Sequence, residues 1–147
     1  MIQQEAVHVR RKQVGDPTWV EAFNRRDLEA GAQLMDANYV RHLPGLESRG
    51  PEGFKQVATA FLTGFPDSKL TIDDLIAEDD RVVVRFTVRR THLGDFAGIP
   101  PTNRQITLPV IMVNQISNGK MSESWEVVDQ LGLFHALGSF PPAAATA

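Results

Sequence analysis

The sequence contains no cysteine, which excludes disulfides, a thiolate nucleophile and any sulfur-ligated metal. It has no excess of positive charge either. The 15 Lys and Arg against 18 Asp and Glu give a formal net charge of −3, whereas neutralising a nucleic-acid backbone takes clustered basic residues. The densest basic run, His8-Val9-Arg10-Arg11-Lys12, is short and sits in a polar N-terminal segment, so it reads as a solvated arm and no nucleic-acid partner is expected. Long hydrophobic runs are missing as well. No window reaches the length of a signal peptide or a membrane span, and a cytoplasmic protein without a membrane partner is the expectation. The four histidines, His8, His42, His92 and His135, are too scattered for a metal site, and no glycine-rich phosphate loop occurs. No internal repeat or linker divides the 147 residues, a length that suits one domain with one substantial core.

What is present reads as an organised succession. Residues 1–15 are polar and aperiodic and are expected to form a mobile arm, residues 16–139 a single domain, and the Pro- and Ala-rich residues 140–147 a disordered tail. Asp16-Pro17 gives a helix-start signal, Asp as N-cap and Pro in the first turn. Trp19, Val20 and Phe23 make one apolar stripe, and Asp27, Leu28, Leu34 and Met35 suggest a second helix close behind. Ala37 to His42 looks extended and is ended by Pro44-Gly45. Gly50-Pro51-Glu52 opens a third helix, whose apolar positions Phe54, Val57, Ala58, Phe61, Leu62 and Phe65 lie on one face of a 3.6-residue period until Pro66 stops it.

From there the period changes to two. Leu70, Ile72 and Ile76 alternate with more polar neighbours, and Glu78-Asp79-Asp80 makes a charged turn. Arg81 to Thr91 is a long strand with Val82, Val84, Phe86 and Val88 on its apolar side. Residues 93–104 form a Gly- and Pro-rich loop. Ile106 to Ile116 is apolar on both sides, which predicts that both are covered. Asn118-Gly119 is the strongest hairpin signal in the chain and leads into a strand from Met121 to Val128, with a short closing helical turn over residues 132–137. Helices first and an antiparallel meander afterwards predict an α+β fold, a curved antiparallel sheet packed on three N-terminal helices, with a pocket at its open end.

Four stretches in this order and spacing carry a resemblance. They are Trp19-Val-Glu-Ala-Phe-Asn-Arg-Arg-Asp-Leu28, Arg49-Gly-Pro-Glu-Gly-Phe54, Thr91-His-Leu-Gly-Asp-Phe-Ala-Gly-Ile-Pro-Pro-Thr102, and Asn118-Gly-Lys120 leading to Trp125-Glu-Val-Val-Asp-Gln-Leu-Gly-Leu133. Together they resemble the SnoaL-like proteins, also labelled predicted ester cyclases, of the nuclear-transport-factor-2-like superfamily. The resemblance covers roughly Trp19 to Gly138, and its most specific element is the loop from Thr91 to Thr102. It implies a cone-shaped α+β barrel that assembles as a homodimer or homotetramer through its sheet face, with no metal and no organic cofactor. The best-known members close the last ring of aromatic polyketides by intramolecular aldol condensation, and close relatives act as hydroxylase components. A shared fold does not by itself fix the reaction.

By that resemblance the acid of the cyclases falls on Glu126. Burial in an apolar cone penalises a charged carboxylate, which would raise its pKa and let it take a proton alpha to a carbonyl and return it to an alkoxide. Strand alternation leaves a second reading open, a surface carboxylate, because Trp125 and Val127 form the more apolar parity of that strand. His92 continues the inward parity of Phe86, Val88 and Arg90; it either donates a hydrogen bond to a substrate carbonyl or is a loop histidine bonded to backbone. His42 lies where the resemblance places the pocket mouth, with a structural histidine as the other reading. Arg85 has the outward parity and suits an interface or an ion pair.

Trp19, Phe23, Val57, Phe61, Phe86 and Met112 complete the expected lining. Three of them depart from the cyclases: Met112 replaces a histidine, Val57 a polar helix residue and Phe23 a tyrosine. The expected pocket is therefore greasier, suited to a small hydrophobic substrate. The expected activity is cofactor-independent cyclisation or isomerisation of a polyketide-like carbonyl compound. A hydroxylase component and a non-catalytic binding protein are the alternatives. Epoxide hydrolysis ranks last, since no Asp-Arg-Asp set falls on the inward parity.

Overall fold

Two short helices begin the computed structural model, which describes residues 18–139. They are α1 (Thr18–Asn24) and α2 (Leu28–Ala32). The Asp27 carboxylate accepts from the Ala30 N–H at 3.1 Å and so satisfies one of the free donors that start α2. The helix start expected at Asp16-Pro17, the N-terminal arm and residues 140–147 lie outside the described residues. Strands β1 (Met35–Leu43) and β2 (Leu46–Arg49) follow, and then the principal helix, α3 (Gly50–Gly64). Pro51 occupies the first turn of α3, where its missing N–H costs nothing. Phe54 and Ala58 of that helix are buried, and each such phenylalanine contributes about 1.5–3 kcal/mol by leaving water.

The remaining strands are β3 (Lys69–Glu78), β4 (Arg81–Thr91), β5 (Gln105–Ser117) and β6 (Lys120–Val128), closed by α4 (Gln130–Leu137). They form one six-stranded sheet in the order β2-β1-β6-β5-β4-β3. All pairs are antiparallel except β1 with β6, which run parallel. The β5–β6 turn is the two-residue one the sequence predicts. Asn118 and Gly119 both have positive φ, 52° and 76°, the requirement of a type I′ turn whose twist matches the strands it joins.

The helices α1, α2 and α3 cover one face of this curved sheet, so the fold is the α+β arrangement expected. The main core joins Trp19, Val20 and Phe23 to the inner positions of β4 and β5, including Val84, Phe86 and Met112. A second cluster, Phe65, Ile99, Ile106, Leu108, Leu133, Phe134 and Leu137, packs α4 and the long loop against one end of the sheet. That loop is held at its base by His92 N–H to Arg104 O and Asn103 N–H to His92 O, each 2.9 Å. The amides of Leu93 and Gly94 also donate to the last carbonyl of α3, Gly64 O, each at 3.0 Å. Gly94 presses so close to the Thr63 carbonyl that a Cβ has no room there, which is why glycine stands at this position of the loop.

Two local irregularities overturn simple alternation. Pairing steps from Ile72–Phe86 to Asp74–Arg85, so Asp73 is an extra residue and the parity of β3 reverses behind it. Ile76, expected on the same face as Leu70 and Ile72, is consequently 63% exposed, while Leu75 and Ala77 pack on the core. In β6, pairing steps from Gln115–Glu123 to Ile116–Met121, which makes Ser122 the extra residue there. The outer side of β5 was expected to be covered. Within the chain it is open, with Ile111 47% and Val127 of β6 71% exposed.

Candidate functional site

A cavity of about 760 Å³ lies between the helices and the concave face of the sheet, within the usual size range for small-molecule sites. Its wall is mostly apolar. Trp19 and Phe23 come from α1, Val57 and Phe61 from α3, and Phe86 from β4. Trp19 meets Phe86 edge to face at 5.5 Å, a favoured geometry for aromatic pairs.

Glu126 stands in this wall. The extra residue Ser122 brings Met121 onto the same side of β6 as Ser124 and Glu126, and Trp125 and Val127 onto the outer side, which resolves the two readings of the strand. Glu126 is not a lone acid. Because β1 runs parallel to β6, Arg41 lies beside it, with Arg41 registered opposite Ser124. The Arg41 Nη2 donates to Glu126 Oε1 at 2.9 Å, and the two side chains are only 11% and 7% exposed. Glu126 Oε2 takes no hydrogen bond among the described residues. Burial disfavours the Arg41 cation, but Glu126 beside it more than offsets this and holds its pKa above the ordinary value.

Beneath the pair runs a buried polar chain. Tyr39 OH donates to Ser124 Oγ at 2.9 Å, Ser124 donates to Asn114 Oδ1 at 2.6 Å, and Asn114 Nδ2 donates to Val82 O at 3.3 Å. Burial pushes the Tyr39 phenol up, against the lowering influence of Arg41, so it stays a neutral donor. This chain fixes β1 against β6 and β5 directly under the Arg41–Glu126 pair.

A third charged group enters the wall from β4. The Arg90 guanidinium sits 4.1 Å from the ring centre of Phe65 and 5.1 Å from that of Phe61. The residue is 9% exposed, and its Nε has no hydrogen-bond partner among the described residues. Burial pushes its pKa down to about 10, partly opposed by Glu126, so it remains a cation at neutral pH. Each ring face contributes about 0.5–2 kcal/mol to holding a guanidinium, less than the several kcal/mol that burying an unpaired ion costs.

Three residues expected in the pocket lie elsewhere. His42 points to the outer face, because Tyr39 and Arg41 take the inward positions of β1; its Nε2 is 2.7 Å from Glu123 Oε2 and its ring stacks on Trp125 at 5.7 Å. His92 is fully buried under the long loop, outside the cavity lining. Its Nδ1 accepts from the Thr102 N–H at 3.2 Å and lies 3.0 Å from Thr102 Oγ1, with the Phe65 ring 5.2 Å away. This is the backbone-bonded loop histidine of the second reading. Met112 is on the inner side of β5 but too deep in the core to reach the cavity.

Arg41 and Arg90 were not among the expected site residues. Arg90 extends the Phe86–Val88 stripe, and Arg41 follows Tyr39 by two residues, so both were within reach of the alternation. Among the described residues, no group of three or more His, Asp or Glu converges as a metal site, and no helix is long and apolar enough to cross a membrane.

A profile described as SnoaL-like polyketide cyclase matches residues 16–137. The chain belongs to the SnoaL-like polyketide cyclase family. Among its SnoaL-like relatives, the aklanonic acid methyl ester cyclase DnrD of Streptomyces peucetius is 27% identical over 126 residues, 81% of this chain and 85% of that protein. The aklanonic acid methyl ester cyclase DauD of Streptomyces sp. strain C5 is also 27% identical, over 81% of this chain and 76% of that one. Solved SnoaL-like structures agree with the fold. AclR, a proposed hydroxylase from Streptomyces galilaeus, superposes with a TM-score of 0.79 at 28% identity, over 92% of this chain and 99% of that chain. IdmH, a proposed polyketide cyclase from Streptomyces antibioticus, gives a TM-score of 0.69 at 30% identity, over 80% of this chain and 91% of that chain. In this SnoaL-like chain the mostly apolar wall of the cavity therefore holds one buried carboxylate, Glu126, and two buried guanidinium groups, Arg41 and Arg90, with Glu47 and Arg49 on the rim.

Proposed function

We propose that this SnoaL-like protein catalyses an acid–base cyclisation or isomerisation of a hydrophobic, polyketide-like carbonyl compound, with Glu126 as the proton-transfer group. One observation carries the reading: a carboxylate in the wall of a mostly apolar cavity, held through Oε1 by Arg41 and leaving Oε2 without a partner among the described residues. In the cyclisation, Glu126 removes a proton alpha to one carbonyl. The resulting enolate carbon bonds to a second carbonyl carbon of the same molecule, and the alkoxide formed there takes the proton back from the Glu126 carboxyl. All atoms of the substrate are retained and no electrons leave it. Arg41 fixes the carboxylate, and a buried, pre-oriented ion pair costs little reorganisation as charge moves to the substrate. The similarity to two aklanonic acid methyl ester cyclases supports this chemistry over simple ligand storage.

Glu126→Gln is the test. Truncating one partner of a buried ion pair costs about 3–5 kcal/mol because the other charge is stranded. Glutamine keeps an oxygen that can accept from Arg41, so the protein stays folded while the base is lost. Turnover falls by about 10²–10⁴-fold with ligand affinity little changed. Full activity of Glu126→Gln on the natural substrate overturns the mechanism.

The likeness to AclR favours a second reading, a hydroxylase component that uses the same cavity for an aromatic polyketide. Oxygen uptake coupled to product formation, with a reductase present, separates it from the first. In both readings the protein works as a homodimer or homotetramer through the outer face of its sheet.

A further inference from the structure

The charged residues around the cavity do not balance. Five of them line it: Arg41, Glu47, Arg49, Arg90 and Glu126. Arg41 is paired with Glu126 at 2.9 Å, and Arg49 with Glu47 at 2.8 Å on the exposed rim. Arg90 alone makes no ion pair and no hydrogen bond among the described residues, yet it is the one set into an apolar stripe, after Val84, Phe86 and Val88 on β4. Phe65 and Phe61 clamp its guanidinium at 4.1 and 5.1 Å, which fixes its plane without satisfying its N–H groups. A guanidinium oriented in this way and left without an acceptor in a cavity wall is matched to a planar oxyanion.

We propose that Arg90 is an anion-recognition residue, and that the natural ligand is a conjugated organic acid whose carboxylate or acidic enolate seats on Arg90 while its ring system fills the apolar part of the cavity. Glu126 then faces a different part of the same molecule. Arg90 thus sets which end of the ligand enters first. Neutral analogues of the same shape fill the cavity but leave Arg90 unpaired, so they bind less well and in more than one orientation.

The inference deepens the reading above by naming the ligand's charge, and it rests on the same cavity being the ligand site. Its test is a binding assay, so it fails separately from the Glu126 turnover assay. Quenching of tryptophan fluorescence, to which Trp19 in the cavity wall contributes, is followed with two matched pairs of probes. One pair is anthraquinone-2-carboxylate and anthraquinone-2-carboxamide. The other is 2-hydroxy-1,4-naphthoquinone, an anion at neutral pH, and its methyl ether. The expected result is a preference for the anion of roughly tenfold or more in at least one pair, the range of a charge-assisted hydrogen bond. The pair that shows it tells carboxylate from enolate. Arg90→Met brings that preference to within about twofold while the neutral probe still binds, and Arg90→Lys restores part of it. Equal affinity within both pairs for the unmodified protein overturns the proposal without any variant. So does an anion preference that survives in folded Arg90→Met.

Discussion

Tyr39 illustrates how much of the site depends on groups that never touch the cavity. Its hydroxyl donates to Ser124, which donates on to Asn114, all three nearly inaccessible to solvent. Tyr39→Phe removes the donor and leaves Ser124 Oγ short of one bond in the interior, a loss of about 1–2 kcal/mol in stability by chemical denaturation. The same variant loosens the strand pair under Glu126, so kcat falls more than ligand affinity does. An unchanged kcat in folded Tyr39→Phe makes the polar chain purely structural. At this scale the sequence was informative about the apolar wall and poor about the cations. Trp19, Phe23, Val57, Phe61 and Phe86 line the cavity because their periodicity and bulk leave few other places for them. Arg41 and Arg90 were not assigned to the site for a physical reason. Alternation puts Arg90 on the inward parity, but an arginine in a strand normally reports solvent. It takes the partners, a buried glutamate for Arg41 and two phenylalanine rings for Arg90, to show what holds each cation inside.

Elements show where alternation stops being a guide. The residue Ser122 in β6 decides the facing of Glu126, and Asp73 in β3 decides the facing of Ile76. Neither position carries a glycine or proline to announce it, and a bulge depends on which partner residue is skipped, which only the paired strand determines. The helices were easier, since α3 begins at Gly50-Pro51 and stops before Pro66 by chemistry local to the chain. His92 combines both situations: its burial follows from parity, but the loop folding back over it turns its Nδ1 to Thr102.

Asp67, in the connection between α3 and β3, belongs to the same scale. It accepts from the Thr91 N–H and the Thr91 hydroxyl, each at 2.7 Å, and so ties that connection to the end of β4. Burial alone would raise its pKa, but the bonds from Thr91 reverse this and hold it below the ordinary value. A depressed carboxyl contributes stability that is present above its unfolded-state pKa, about 3.9, and is lost as the pH falls through the folded-state value. Asp67→Asn therefore lowers Tm relative to the parent near neutral pH, and the gap narrows on acidification below about pH 4. A gap that stays constant from pH 7 to pH 3 shows that the ionised form has no special role there.

For the whole molecule, the outer sheet face is the feature that a single chain leaves unfinished. Ile111 lies opposite Val127 and Val113 opposite Trp125, which places four apolar side chains together on the two central strands. Ile111 and Val127 are both exposed, and Val127 is the more so. Around them stand His42 with Glu123, and Arg85 with Asp73 and Asp74, so the patch has a charged rim. A self-complementary apolar centre with paired charges at its edge suits an isologous contact between two copies of the chain. The same β6 carries Val127 outward and Glu126 inward, so a partner pressed on the outer face would steady the strand that holds the acid. On the proposal of a homo-oligomer, light scattering behind size-exclusion chromatography gives twice or four times the mass of one chain. Val127→Glu, an exposed substitution that leaves the core intact, then gives the mass of a single chain with the fold retained by circular dichroism. A monomeric parent protein, or an oligomer that survives Val127→Glu, assigns the contact to another surface or removes it. If the monomer forms and its turnover drops while the cavity still binds ligand, the outer face supports catalysis through the rigidity of β6.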